Sequence, residues 1–494
     1  MIRPLVAALV AIAILSWAAP RPLAASNRQN PRWEAERSGR DFSHELTPPH
    51  QQHKPYRPLH EPPGALPPHQ RGASLVLNPG VLLGLATIFI LGITAEWLSW
   101  IVRLPSPLLL LLAGFVAGPA TGFLDPDALL GNLLLPVVSL SLAVLLFEQC
   151  LNLRTRAVAE NGGVVGSLLS LGVLVAWAIN GIGACYVLGL PTASAGLLGA
   201  ILIVSAPTVI GPLIDSVGPR DAAADALRWE SVGLDLIGAA LAVMVFETIV
   251  AGGSRQTAVP GIAKILKTTA IAAGAGALGA AIMLIALDRK WVPQRLASPL
   301  TLMTLVAAVT LADAVQEESG LLAAVAMGLA LAYQRRVDIQ AVRELQGLPA
   351  MLAAPLFVVL AARLQVADVF RLGVASAAFV AIVVLVGRPL AVAASTARSG
   401  MSWRERVWLS WVAPRGVIAA GLASLCGLRL VEIGYPQADR LVPLAFLVIS
   451  VSAVLSSFTV APAAQWLRLA RAEPHEGVQT TKRSSIATLV RGPR

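Results

Sequence analysis

Long apolar segments alternate with short polar connections from about residue 76 to about residue 470. Many approach the roughly 20 residues that a helix needs to cross the hydrocarbon core of a bilayer, and several are shorter. We place thirteen segments, at 81–101, 105–124, 130–151, 164–188, 192–214, 224–250, 261–287, 299–315, 320–333, 349–362, 372–396, 407–427 and 441–467. The pattern predicts an all-α polytopic membrane protein with about thirteen transmembrane helices.

Two of these segments contain an Ala-Pro pair near the middle, at Pro207 in the fifth and Pro414 in the twelfth. Proline removes a backbone donor and breaks a helix. A bilayer tolerates such a break only where it is packed in protein or lines a cavity. Segments seven positions apart run in opposite directions, so the pattern predicts an inverted repeat of six helices with two broken, crossing helices. The alternative is a coincidence of two Ala-Pro pairs in an alanine-rich chain.

The sixth segment carries an acidic residue between two leucines. Ser231 and Asp235 are four residues apart and share one face of a helix. A carboxyl group withdrawn from water favours its protonated form. Asp235 could therefore exchange a proton for a cation near neutral pH, with Ser231 supplying a neutral oxygen ligand to a hard cation. The alternative is an aspartate that only packs helices together.

Other charged residues within the spans are candidate pairing or ion-path groups. A buried arginine needs a carboxylate or free backbone carbonyls, so Glu230 is expected to pair with Arg388 or with Arg415. Arg415 could instead neutralise the carbonyl ends of the broken helices. Glu148 ends the third segment and either lines an ion entrance or extends to the membrane interface.

Composition excludes most other protein classes. The 494 residues are 56% hydrophobic and only 13% charged, with a mean hydropathy of +0.71, which is incompatible with a soluble globule. A net charge of +10 would suggest nucleic acid in a soluble chain, but here it follows from basic loops. Fourteen basic residues lie in loops on one side and at most seven on the other. This asymmetry predicts the N-terminus outside and the C-terminus in the cytoplasm, in the inner or plasma membrane, with no nucleic-acid partner.

The chain ends differ from its apolar part. Residues 1–25 have the basic start, apolar stretch and small-residue end of a signal peptide; the alternative is an uncleaved first helix. Residues 26–75 are predicted to be a disordered linker rich in Pro and His, with no metal-ligand spacing. Residues 76–470 form the predicted transmembrane domain. Residues 471–494 form a basic cytoplasmic tail, which either contacts anionic lipid or is disordered.

Five motifs occur in order along the predicted spans. They are Leu146-Phe147-Glu148, Ser205-Ala206-Pro207-Thr208, Glu230-Ser231 followed by Asp235, Arg388-Pro389-Leu390 and Pro414-Arg415-Gly416. Together they resemble the NhaP branch of the monovalent cation:proton antiporters, the superfamily that includes sodium/proton exchangers.

The resemblance implies a homodimer of thirteen-helix protomers in which a core domain moves against an interface domain. It implies that Asp235 binds a proton and a cation in turn. Ser231, Thr208 and the backbone near Ser205 would help to ligate the ion, and Glu148 would lie nearby. It also implies that Glu230 pairs with Arg388, and that the protein needs no cofactor.

Two residues depart from the family pattern. Ala206 stands where many relatives have an aspartate, and Leu234 stands where many have an asparagine. The sequence thus predicts a secondary antiporter that exchanges protons for Na⁺ or K⁺ by alternating access at one buried carboxylate, most simply one for one. The rivals are a proton-uncoupled uniporter or channel and, because of the two departures, a transport-inactive sensor of the same fold. A membrane-embedded enzyme is disfavoured because every histidine lies in the linker or the tail.

Overall fold

The computed structural model describes residues 79–102, 104–151, 153, 162–217, 221–251, 258–334, 342 and 347–469. Every regular element within these ranges is helical. The predicted signal peptide, the linker at 26–75 and the tail at 471–494 lie outside the described residues.

The α-helices are numbered in chain order. They are α1 (Pro79–Val102), α2 (Ser106–Phe115), α3 (Pro126–Leu130), α4 (Leu134–Leu151), α5 (Gly162–Ser167), α6 (Val173–Leu188), α7 (Thr192–Ile201), α8 (Pro207–Val217), α9 (Asp221–Val250), α10 (Ala258–Asp288), α11 (Gln294–Val315), α12 (Gly320–Tyr333), α13 (Gly347–Ala362), α14 (Val366–Arg371), α15 (Gly373–Ile382), α16 (Arg388–Thr396), α17 (Trp403–Trp411), α18 (Val417–Glu432) and α19 (Leu441–Trp466).

Short tight or wide turns adjoin several of these helices. Among the described residues, three turns are π-helical: Val116–Ala120 continues α2, Leu168–Gly172 joins α5 to α6, and Val383–Gly387 joins α15 to α16. Two 3₁₀ turns, Gly131–Leu133 and Ala438–Arg440, lead into α4 and α19. Wide turns of this kind shift the register of a helix and often lie beside functional sites.

The predicted all-α polytopic architecture is confirmed. Each of the thirteen predicted segments corresponds to helix, and the fifth and twelfth are interrupted, between α7 and α8 and between α17 and α18. Among the described residues, eight helical stretches are long and apolar enough to cross a membrane, judged by length and composition. Four further apolar helices are shorter.

The 30-residue helix α9 holds the position of the candidate site, because it packs against α4, α7, α10 and α18. Two of its glycines allow close approach to neighbouring elements. A Cβ atom on Gly233 would lie 2.5 Å from Leu169 Cδ2, and one on Gly238 would lie 2.7 Å from Val204 Cγ2. Helix α9 is thereby brought directly against the interruption that follows α7.

Candidate ion-binding site

The two helix interruptions contact each other. The first consists of residues 202–206 between α7 and α8, and the second consists of residues 412–416 between α17 and α18. A Cβ atom on Gly416 would lie 2.9 Å from Ala206 Cβ and 3.4 Å from Ser205 O. The backbones therefore cross at a point where only glycine fits on one side.

Proline plays a different part in each interruption. Pro207 is the first residue of α8, a position where its missing N–H is not needed. The carbonyl of Ala206 accepts hydrogen bonds from the N–H groups of Val209 and Ile210, both at 3.0 Å. Pro414 lies inside the second interruption, two residues before Gly416. Each interruption leaves helix-end N–H and C=O groups at the crossing.

Asp235 lies on α9 beside the first interruption, with none of its surface exposed. Its Oδ1 atom accepts a hydrogen bond from the backbone N–H of Ser205 at 2.9 Å. Its Oδ2 atom is buried and has no hydrogen-bond partner among the described residues. One carboxylate oxygen is thus held in place, and the other has no partner among the described residues.

A small cavity of about 40 Å³ lies next to this aspartate. Ser205 and Ser231 are buried residues on its wall, whereas Asp235 is not among the lining residues. The Ser231 hydroxyl donates to the carbonyl of Arg228 at 2.8 Å, which leaves its oxygen lone pairs free to accept. These two serines connect the cavity to the surroundings of the carboxylate.

Glu230 and Arg388 form a two-pronged ion pair on the same cavity wall. Arg388 Nη1 donates to Glu230 Oε1, and Nη2 donates to Glu230 Oε2 at 2.7 Å. Nη2 also donates to the carbonyl of Leu409, in the last turn of α17, at 3.3 Å. Of the two arginines considered for Glu230, the structure thus pairs it with Arg388, and the paired geometry is the strong form of this interaction.

Arg415 reaches across the crossing. Its Nε atom donates to the carbonyl of Leu202, the residue directly after α7, at 2.7 Å. The C-terminal end of a helix carries a partial negative charge, which a guanidinium group offsets. Arg415 therefore serves the helix ends, as one of the alternatives drawn from the sequence proposed.

Comparisons with known proteins identify the family. A family model described as "Sodium/hydrogen exchanger, transmembrane" matches residues 85–466. The chain belongs to this family.

The chain is similar to two characterised antiporters. The chain is 26% identical over 417 residues to the K(+)/H(+) antiporter NhaP of Alkalimonas amylolytica, covering 82% of this chain and 70% of that one. It also shares the fold of the sodium proton antiporter MjNhaP1 from Methanocaldococcus jannaschii at pH 8, with a TM-score of 0.69 and 21% identity over 78% of this chain and all of that one. An electron-microscopy structure of the same antiporter gives a TM-score of 0.65.

Two predicted site residues of the exchanger lie apart from this group. Thr208 is exposed in the first turn of α8, and Glu148 is half-buried in the last turn of α4. Neither is among the described residues that line the cavity, whereas Pro414 is. The structure therefore brings together Asp235, Ser205 and Ser231 and leaves Thr208 and Glu148 outside the cavity wall.

Asn180 also belongs to this group, although no sequence motif contains it. This residue of α6 is 1% exposed and lies on the cavity wall with Glu230 and Arg388. A single amide in an apolar span forms no motif, because no second functional residue lies at helical spacing from it. The signal that could have found it is the rarity of polar side chains at membrane depth.

A second charged cavity, of about 310 Å³, lies at the far end of α9. Three ion pairs among the described residues line it: Glu247 with Lys264 at 2.7 Å, and Arg429 with both Glu318 and Glu432 at 3.4 Å. Asp313 accepts a hydrogen bond from the N–H of Gly320 at 2.6 Å and so caps the start of α12. Glu318, in the turn before α12, is thus held by its ion pair with Arg429.

Proposed function

We propose that this protein is a secondary antiporter that exchanges protons for a monovalent cation, Na⁺ or K⁺, by alternating access at Asp235. The observation that carries the proposal is the state of this carboxylate. It is fully buried at the crossing of two interrupted helices, with Oδ1 held by the Ser205 N–H and Oδ2 without a partner among the described residues.

Competition for one carboxylate couples the two ions. A proton on Oδ2 makes the side chain neutral and removes its attraction for a cation. When the proton leaves, the Ser205 N–H stabilises the negative charge of the carboxylate. A cation can then bind Oδ2 together with neutral oxygens of Ser231 and the backbone near Ser205. The proton gradient then drives cation movement without ATP, because neither ion can bind until the other has left.

One proton per cation is the simplest stoichiometry of this site. Glu230 is occupied by Arg388, so its charge is already balanced. Ala206, in the place of the aspartate found in many relatives, is buried against Gly416 and adds no acid. Leu234, in the place of an asparagine, packs with Val173 and Ile203. Asp235 is left as the group that changes its charge.

The choice between Na⁺ and K⁺ rests on transport measurements. The Alkalimonas relative is a K⁺/H⁺ antiporter and the Methanocaldococcus protein is a sodium proton antiporter. Both ions are hard cations that oxygen ligands accept, so exchange with each in turn in the same vesicles identifies the substrate.

We further infer that the protein lies in the inner or plasma membrane as a homodimer, with its N-terminus outside and its C-terminus in the cytoplasm. The excess of basic residues in the loops on one side of the predicted spans supports this orientation. Cleavage of the signal peptide at residues 1–25 is part of the same hypothesis. Labelling of single introduced cysteines from each side, and the mass of the purified protein by light scattering, test orientation and dimer.

Exchange in proteoliposomes tests the main proposal. Wild-type protein should dissipate a pH gradient when Na⁺ or K⁺ is added, and Asp235→Asn should lose this activity while folding normally. Asp127→Asn removes an exposed carboxylate that pairs with Arg363 and should retain exchange. Normal exchange by Asp235→Asn would refute the assignment. Cation flux without pH coupling in the wild type would favour a uniporter, and cation binding without flux would favour a sensor.

A further inference from the structure

Two buried polar atoms without partners belong to residues that line the same cavity. Asn180 Oδ1 on α6 and Arg388 Nε at the start of α16 are both buried, and neither makes a hydrogen bond among the described residues. Both residues line the cavity of about 40 Å³. One atom is an acceptor and the other is a donor, so they are complementary.

The geometry places the amide oxygen next to the helix that carries the guanidinium. A Cβ atom on Gly387, the residue before Arg388, would lie 3.0 Å from Asn180 Oδ1. Glycine at this position is what allows the amide oxygen of α6 to approach the backbone of the neighbouring helix.

The cavity can hold water. A buried water needs roughly 10–15 Å³ of such space and two to four polar partners. The cavity volume exceeds this requirement, and its wall also carries Ser205 and Ser231. An unpaired acceptor and an unpaired donor on the wall of a polar cavity are the usual signs of a bound water.

The helices around the cavity are locally distorted. The π-helical turn Leu168–Gly172 contributes both of its end residues to the wall, and the turn Val383–Gly387 ends directly before Arg388. Wide turns of this kind redirect the residues that follow them. In this protein they turn α6 and α16 towards one shared space.

We propose that Asn180 is a positioning residue for ion exchange, which holds the Arg388 guanidinium through a water molecule bound between Asn180 Oδ1 and Arg388 Nε. This inference rests on the proposed function. Arg388 already contacts α9 through Glu230 and α17 through Leu409 O. The water adds α6 to these contacts, so the guanidinium is held from three helices.

The consequence concerns Asp235, five residues beyond Glu230 on the same helix. Arg388 fixes α9 relative to α17, which leads directly into the second interruption. We expect a displaced guanidinium group to shift α9. This shift would change the distance between Asp235 Oδ1 and the Ser205 N–H. Loss of Asn180 should therefore change the relative affinity of Asp235 for a proton and for a cation, although Asn180 carries no charge.

Exchange by Asn180→Leu in proteoliposomes tests this role. The substitution keeps the branched shape and the number of heavy atoms and removes the acceptor, and it should raise the apparent KM for the transported cation about tenfold and shift the pH profile of exchange. Asn180→Ser keeps an acceptor and space for a second water, and it should recover most of the wild-type behaviour. Thr268→Val is the matched control, because Thr268 Oγ1 is also buried and without a partner among the described residues but lies away from this cavity, on α10.

The outcomes separate this inference from the proposed function. If wild-type protein exchanges ions and Asn180→Leu keeps the wild-type KM and pH profile, the positioning role is wrong and the antiporter proposal stands. Equal losses in Asn180→Leu and Asn180→Ser would also overturn it. If Asn180→Leu does not fold, Asn180→Asp decides the matter: its carboxylate would compete with Glu230 for Arg388, and an unchanged pH profile would contradict the proposal. Absence of exchange in the wild type would instead refute the proposed function.

Discussion

Arg415, in the interruption between α17 and α18, donates a hydrogen bond to the carbonyl of Leu202, at the end of α7, across 2.7 Å. A charged group from one half of the repeat thus satisfies a helix end from the other half. The contact offsets the negative end of α7 at the same crossing where Asp235 meets the N–H of Ser205. At this crossing a guanidinium group meets the carbonyl end of α7, and a carboxyl group meets a backbone N–H just before α8.

Removal of the Arg415 charge should leave the carbonyl end of α7 without this contact. We expect Arg415→Gln to lower the exchange rate in proteoliposomes by at least about tenfold, because a charge-assisted hydrogen bond to a buried carbonyl contributes roughly 1.5–3 kcal/mol. Arg415→Lys should retain an intermediate rate. Arg404→Gln, at an exposed arginine beside Trp403, should exchange at the wild-type rate. Full activity of Arg415→Gln would show that the helix end needs no cation.

The Glu230–Arg388 pair should reveal itself in a double-mutant cycle. Removal of one member leaves a buried charge unpaired, which typically costs about 3–5 kcal/mol. Glu230→Gln and Arg388→Gln should each lower the melting temperature of the purified protein markedly, whereas the double variant should be more stable than either. Simple addition of the two single effects in thermal unfolding would argue that the two side chains act independently.

Gly416→Ala should separate the two interruptions. Its Cβ atom would lie 2.9 Å from Ala206 Cβ, which is too close for two carbon atoms, and a Cβ atom cannot rotate away from its backbone. We expect severe loss of exchange with retained membrane insertion. Gly211→Ala in α8 is the control, because its Cβ would meet no atom within 4 Å and alanine favours a helix. Equal activities of the two variants would contradict the close crossing.

Burial raises the pKa of the Glu318 carboxyl to about 7. The Arg429 guanidinium opposes this shift, and the carboxylates of Asp313, Glu247 and Glu317 add to it. The side chain lies in the turn before α12 and is only 14% exposed. Its ordinary pKa is 4.5, so the folded protein holds a proton that the unfolded chain releases between these two values.

This shift makes stability depend on pH. The contribution of Glu318 is fully present below about pH 4.5 and is lost as the pH rises through about 7. Glu318→Gln keeps the neutral form, so it should raise the melting temperature by roughly 2 °C above pH 7 and leave it unchanged at low pH. Glu432→Gln, at an exposed carboxylate that also contacts Arg429, should leave the pH dependence as it is. A parallel shift of the whole curve by Glu318→Gln would refute the titration.

The sequence contained much of the fold because length and apolarity alone mark a membrane span. It also located both interruptions, each at an Ala-Pro pair near the middle of a predicted span. It did not determine the faces that neighbouring helices turn towards each other. Thr208 follows Pro207 directly, but the rotation of α8 leaves it exposed.

The sequence alone also did not determine which charged side chains pair. Residue types and spacing left two possible arginines for Glu230; the family resemblance implied Arg388, and the ion pair between α9 and the start of α16 agrees with it. Asn180 went unnoticed because its importance arises from Gly387 on a different helix, more than two hundred positions along the chain. Residues that act through neighbours distant in sequence leave no local pattern.

The contact of Gly416 with Ala206 leaves no room between the two bends for either to slide over the other. If the site opens to the opposite side as proposed, this close contact favours a movement that carries both bends together with the adjacent part of α9. An ion bound at this crossing would then move across the membrane together with the residues that bind it, instead of diffusing through a pore.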